Sequence, residues 1–179
     1  NFRPQANSAE IVGFQKQVMT NMVNIESSFT PFYSQIAYRS LNERLGVSDP
    51  YRDIKSYFNK TVEKFVPKLQ EQLSKASDPV LLAISLAILG NTIDFASNHK
   101  IDLENDLAHF NLEHDLIIND YPDFLAHLGS AQTVLLIGDN AGEIVLDRLL
   151  IETLKGKYPE KRFVYAVRGG PAINDATIE

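Results

Sequence analysis

The sequence predicts an α/β protein, with a helical N-terminal part over residues 1–128 and the start of an α/β unit with parallel strands over 129–179. Three observations carry this. Before Gly129 the apolar residues recur every three or four positions, the period of a helix face. Proline follows a Thr or Asp at Thr30-Pro31, Asp49-Pro50 and Asp78-Pro79, the signature of helix starts. After Gly129 two aliphatic runs, QTVLLIG and RFVYAVR, flank one amphipathic segment.

The first helix is expected from near Asn7, where Glu10 stands three residues on as in a capping box. Its apolar face is Ile11, Phe14, Val18, Met22 and Ile25. A second runs from Pro31 to Leu45 and closes on Gly46. A third carries Tyr51, Ile54, Phe58, Val62 and Phe65, its aromatic residues expected in the core. Pro67 should end or kink it, leaving a short helix over 68–75. PVLLAISLAILGNTIDFA is apolar nearly all round and so belongs in the middle of the helical layer. Residues 102–109 and 122–128 read as shorter helices, and NLEHDLIIND between them as a brief extended piece. QTVLLIG has the continuous aliphatic character of a strand buried on both faces. AGEIVLDRLLIETLKGK is an amphipathic helix, with Lys155 and Lys157 suited to its negative end. RFVYAVR is a second buried strand, and strand–helix–strand in that order implies a right-handed parallel crossover.

Composition narrows the function. There are 17 Lys and Arg against 23 Asp and Glu, a net charge of −6, and no basic stripe. A nucleic-acid partner is therefore not expected. Cysteine is absent, which removes disulfides and thiolate metal sites. No apolar stretch has the length of a membrane span and no signal peptide opens the chain, so the expected setting is cytoplasmic, without a membrane partner. Asn1 is not a natural start, and the final NDATIE reads as a helix just beginning, so a fragment lacking its C-terminal part is expected. Nothing in the composition specifies an oligomeric state.

Ligands of open parallel sheets bind beyond the carboxyl ends of the strands. Two unusual loops fall there, GDNAGE at 138–143 and RGGPAINDA at 168–176. Asp139 and Asn140 supply hard oxygen donors, and Asp175 can add a second carboxylate. Ala141 and Gly142 open a helix whose N–H groups and positive dipole end favour an anion. Such donors suit Mg²⁺ or Mn²⁺ rather than zinc or copper.

A dinucleotide or S-adenosylmethionine loop fits poorly, since G-x-x-x-G is not G-x-G-x-x-G and Arg168, not an acid, ends the second strand. An aspartyl-nucleophile phosphatase would want a second Asp where Ala141 stands. A metal site that activates water fits these residues best. Simple helix capping by Asp139 and Asn140 explains GDNAGE equally well from spacing alone.

The segments GDNAGEIVLDRLLIE and VRGGPAINDATIE, with ILGNTIDFA upstream, resemble the damage-control phosphatase family, also known as domain of unknown function eighty-nine. The resemblance covers residues from about 80 to 179 well. It implies a helical domain packed on a three-layer α/β/α Rossmann-like domain. It also implies a phosphatase dependent on a divalent metal (Mn²⁺, Mg²⁺, Co²⁺ or Ni²⁺) and acting on small phosphate esters, sugar phosphates or phosphopantetheine-like compounds. The family's metal ligands match Asp139, Asn140 and Asp175. Its Gly-Asn-x-x-Asp segment matches Gly90, Asn91 and Asp94, which would line the pocket. The paired-cysteine motif of close members is absent, and the chain ends before the family's phosphate-binding Lys and Gly-Asn-Tyr/Phe-Glu-like segment.

Other residues carry open readings. For Asn91 and Asp94 the competing reading is internal satisfaction of a helix end after Gly90. Glu143 could hold a metal-bound water or complement the helix dipole. Arg168 could meet a substrate phosphate, though pairing with a local carboxylate is the more ordinary role. Gly169 and Gly170 serve a turn whose N–H groups could contact an anion. His99, His109, His114 and His127 lack ligand spacing and read as solvated or core histidines. Two other functions stay open: an S-adenosylmethionine-dependent small-molecule methyltransferase, and a non-catalytic metal-binding or scaffold protein.

Overall fold

The structure, a computed structural model, describes residues 6–23, 25–26, 29–92 and 118–178. Its elements in chain order are α1 (Ser8–Val23), α2 (Thr30–Leu45), α3 (Arg52–Glu63), α4 (Val66–Lys75), α5 (Pro79–Thr92), α6 (Tyr121–Ser130), β1 (Thr133–Ile137), α7 (Glu143–Lys157) and β2 (Arg162–Ala166). The readings at 102–109 and in NLEHDLI, with Asp94, His99, His109 and His114, lie outside the described residues.

The caps behave unequally. Asn7 and Glu10 form the expected reciprocal pair, Asn7 N–H to Glu10 Oε2 at 3.1 Å and Glu10 N–H to Asn7 Oδ1 at 3.0 Å. Asp78 Oδ1 accepts the N–H groups of Val80 and Leu81, both at 3.1 Å. Asp49 Oδ1 accepts Tyr51 N–H at 2.8 Å, a turn ahead of α3. Thr30 does not cap: α2 already begins at Thr30, Phe29 holds the cap position, and no side chain bonds there. Gly46 closes α2 with φ 69°, a conformation that favours glycine.

The third helix breaks where Pro67 requires. Residues 64–65 form a turn and α4 restarts at Val66, with Pro67 in its first turn where no N–H is missed. The buried stripe of α3 is Lys55, Phe58 and Val62, so the face is rotated from the expected one and Ile54 is exposed. Tyr57 is exposed as well, against the expectation that the aromatic residues of this helix are core.

One apolar cluster holds the helices to the crossover. It joins Phe58 and Val62 of α3, Leu69 and Leu73 of α4, Val80, Ala83, Leu86 and Leu89 of α5, Leu128 of α6, and Leu146, Leu149 and Leu154 of α7. The α5–α7 contact is the most extensive between the described helices, as the all-round apolar character of α5 demands. Gly90 permits close approach there. A Cβ on it would stand 3.1 Å from Leu146 Cδ1 and 3.4 Å from Glu143 Cγ. A bidentate ion pair from Arg148 to Glu63, at 2.9 and 3.1 Å, ties α7 to α3.

The strands β1 and β2 pair in parallel from Thr133↔Arg162 to Ile137↔Ala166. The expectation of a β1 strand buried on both faces is corrected. Val134 packs toward the cluster, while Leu135 and Ile137 are 57% and 76% exposed. The helices packed against this pair among the described residues meet one face only, and a period of two sends alternate side chains to the other. The closing NDATIE is also not a helix start: Asp175 and Thr177 form isolated bridges to Asn140 and Arg168. No described helix is long and apolar enough to cross a membrane.

Candidate metal and phosphate site

The two βα loops are stapled by residues 174–177. Asn140 pairs antiparallel with Asp175, and Arg168 pairs in parallel with Thr177. Ala141 N–H donates to Asn174 O at 2.8 Å, Ala176 N–H to Asp139 O at 2.6 Å, and Arg168 N–H to Ala176 O at 3.2 Å. The main chain thus brings Asp139, Asn140, Arg168 and Asp175 to one end of the strands. Before the staple, a turn from Ala172 O to Asp175 N–H at 2.9 Å puts Ile173 at φ 43°. Positive φ in a β-branched residue is strained, and the staple holds it in place.

Glycine at 138 has a packing reason. The Tyr165 ring and hydroxyl fill the space a Cβ would need. The same hydroxyl donates to Asp147 Oδ2 at 2.7 Å, beneath the loop. Burial pushes the Asp147 carboxyl up, with the Tyr165 bond opposing. Burial and the bond to Asp147 push the Tyr165 phenol far up, so it stays a donor.

Gly142 stands before α7 with φ 90°, which only glycine takes easily. The helix begins at Glu143, two residues later than the sequence suggests, because Asn140 and Ala141 are drawn into the staple. Neither Asp139 nor Asn140 caps it. Asn140 Nδ2 donates to Asp139 Oδ2 at 3.1 Å and Glu143 Oε2 at 3.3 Å. The Gly142 N–H, expected to meet an anion, instead donates to Asn59 Oδ1 of α3 at 2.6 Å.

Charge is concentrated around the staple. Arg168 Nε pairs with Asp175 Oδ2, the local partnership weighed for it above. Burial pushes the Asp175 carboxyl up, Arg168 opposes, and the Asp139 charge adds to the rise. Glu143 is also pushed up, by burial first and then by Asp147 and Asp139 against the bonds from Asn140. Lys55 reaches in from α3, buried in an ion pair with Asp49, and Lys55 Nζ donates to Asp175 O at 3.4 Å. Burial, Tyr51 and Asp175 together raise the Tyr38 phenol.

The donors suit a hard cation in kind: two carboxylates and an amide oxygen, with carboxylates whose mutual repulsion a cation would relieve. Among the described residues no group of three or more His, Asp or Glu side chains could itself hold a metal. Asn91 lies in the last turn of α5, which abuts α7 at Glu143 through Gly90. Gly169 and Gly170 are exposed. His127 is an exposed residue of α6, its Nδ1 2.9 Å from Asp123 O, as a solvated histidine should be.

The sequence profile of the damage-control phosphatase ARMT1-like domain matches residues 3–179.

The chain belongs to this family.

Among the relatives of this ARMT1-like chain, a damage-control phosphatase of Archaeoglobus fulgidus is 35% identical over 145 residues, 79% of this chain and 49% of that protein. Damage-control phosphatase PH1575 of Pyrococcus horikoshii is 30% identical over 155 residues, 86% of this chain and 52% of that protein. The crystal structure of a DUF89 family protein, PH1575 of P. horikoshii, superposes with a TM-score of 0.74 at 26% identity, over 98% of this chain and 61% of that one. The chain thus spans about half the length of the curated relatives it matches.

In this family member, Lys55, Asn59, Asp147 and Tyr165 support the loops without having been singled out in the sequence. A signal for Lys55 existed. It precedes Phe58 by three and Val62 by seven residues, so it falls on an apolar stripe where a charge needs a partner. Asn59 had none, since a polar residue on an amphipathic helix reads as solvated.

Proposed function

We propose that this chain forms part of a divalent-metal-dependent phosphatase hydrolysing small phosphate monoesters, sugar phosphates or phosphopantetheine-like compounds. The observation that carries the reading is the staple. It pairs Asn140 with Asp175 in register while Asn59, not Asp139 or Asn140, takes the Gly142 N–H. Capping, the main competing explanation of GDNAGE, loses its support.

Asp139, Asn140 and Asp175 would hold the cation, Mn²⁺, Mg²⁺, Co²⁺ or Ni²⁺. Bound there, it would supply charge neutralisation at the phosphoryl oxygens and a water of lowered pKa. Asn140 spends its Nδ2 on Asp139 and Glu143, so its Oδ1 would be the atom offered to the cation. Arg168, half exposed and paired with Asp175 through Nε, would offer its remaining guanidinium N–H groups to the phosphate. Gly169 N–H, Asn91 and Asp94 would complete the substrate side, and Gly142 with Glu143 would frame it.

The reading extends to a helical domain at 1–128 and an α/β/α Rossmann-like domain beginning at 129, in a cytoplasmic protein with neither nucleic-acid nor membrane partners. Asp139→Ala in the full-length protein tests it. Loss of Mn²⁺-stimulated p-nitrophenyl phosphate hydrolysis with unchanged folding is expected. Retained stimulation would sink the reading.

A further inference from the structure

Helix α3 touches both loops of the site with side chains one turn apart. Asn59 Oδ1 accepts the Gly142 N–H at 2.6 Å, from 83 residues earlier in the chain. Lys55 Nζ donates to the Asp175 carbonyl at 3.4 Å, across 120 residues. Residues four apart share one helix face. A single rigid face therefore reads the GDNAGE loop and the staple together.

Each contact has its own support. The start of a helix leaves N–H groups without partners, and a residue just before it usually supplies the acceptor. Here φ 90° at Gly142 turns the N–H toward another helix, and Asn59 caps α7 from outside. That leaves the Asn140 amide to donate to both Asp139 and Glu143. Lys55 is in turn fixed by Asp49, each side chain only 10% exposed, and Asp49 Oδ1 anchors the turn before α3 through Tyr51 N–H.

We propose that Lys55 and Asn59 are positioning residues: α3 sets the spacing between the Asp139–Asn140 loop and Asp175, and with it the geometry in which a divalent cation is held. This rests on the reading of Asp139, Asn140 and Asp175 as the metal-holding set. Partners of this kind behind metal ligands are worth about 10- to 100-fold in metal affinity.

The test is Mn²⁺ titration calorimetry on the full-length protein, with Gly142 amide exchange followed by NMR. Asn59→Ala should weaken Mn²⁺ binding about 10- to 100-fold and speed exchange at Gly142. Asn59→Asp keeps the acceptor and should restore slow exchange and Mn²⁺ binding. Asp49→Asn/Lys55→Met removes both buried charges together, so no lone charge is stranded. It should weaken Mn²⁺ binding while Gly142 stays protected, and it carries the test if Asn59→Ala does not fold. Purely structural roles would lower thermal stability and leave Mn²⁺ affinity untouched in the folded variants, which overturns the proposal. Asp139→Ala separates the two ideas. If it binds Mn²⁺ as wild type does, the metal reading fails and this inference with it. If it alone loses Mn²⁺, the metal reading stands and the positioning role is wrong.

Discussion

At the scale of single residues, the site is built on close contacts that tolerate little change. Gly138→Ala would drive a Cβ into the Tyr165 ring and pull the hydroxyl off Asp147. Overpacking and a buried carboxylate left without its donor together should cost about 2–4 kcal/mol, read from urea unfolding. Asp147 also predicts a pH dependence. Burial raises its folded pKa above the unfolded value of about 3.9, with Tyr165 opposing. The folded state therefore binds the proton more tightly. Its contribution to stability is fully present below the unfolded pKa and is lost as pH rises through the folded one. Denaturation of wild type and Asp147→Asn across that window should show wild type losing stability relative to the variant as pH rises. A constant difference would refute it. Asp139, Asn140, Arg168 and Asp175 could be singled out as candidates at this scale because their loops fall beyond the carboxyl ends of two parallel strands, where ligands of such sheets bind. Asp147 was not, since one acid in an amphipathic helix reads as surface until packing places it opposite Tyr165.

At the scale of elements, termini decide where each helix sits. Asp78 caps α5 through Val80 and Leu81 and also accepts the Tyr121 hydroxyl of α6 at 2.8 Å, so one carboxylate orients two helices. Desolvation pushes this carboxyl up, but the Leu81 N–H and the Tyr121 hydroxyl outweigh it and hold it below its usual range. The sign is thus opposite to that of Asp147: this stability is present above the unfolded pKa and is lost as pH falls through the folded one. Asp78→Ala should cost about 1–2 kcal/mol in urea melts near neutral pH. The penalty should shrink in acid, and a pH-independent penalty would remove the charged cap from the account. Helix starts at Asn7 and Asp78 could be read from sequence because capping is local chemistry. The start of α7 could not, because residues 174–177 compete for Asn140 and Ala141.

At the scale of the molecule, α5 and α7 meet in the apolar cluster that joins the helices to the crossover. Leu146 is fully buried there and touches the edge of Gly90. Leu146→Ala should cost about 2–5 kcal/mol by calorimetry, enough to threaten a domain of ordinary stability. Ile137, on the uncovered face of β1, should behave in the opposite way in this chain. Ile137→Thr should change its stability by no more than about 0.5 kcal/mol.

The sequence by itself determined the helix periods, most of the caps, the parallel strand pair and the acidic loops, since each follows from local chemistry and spacing. Only the tertiary structure decided which face of α3 is buried, which face of β1 is bare, and which side chain caps α7. The first and third outcomes involve Lys55 and Asn59 meeting loops some 80 to 120 residues away, and the second follows from helices covering one face of the strand pair. No local pattern in the chain records such a meeting.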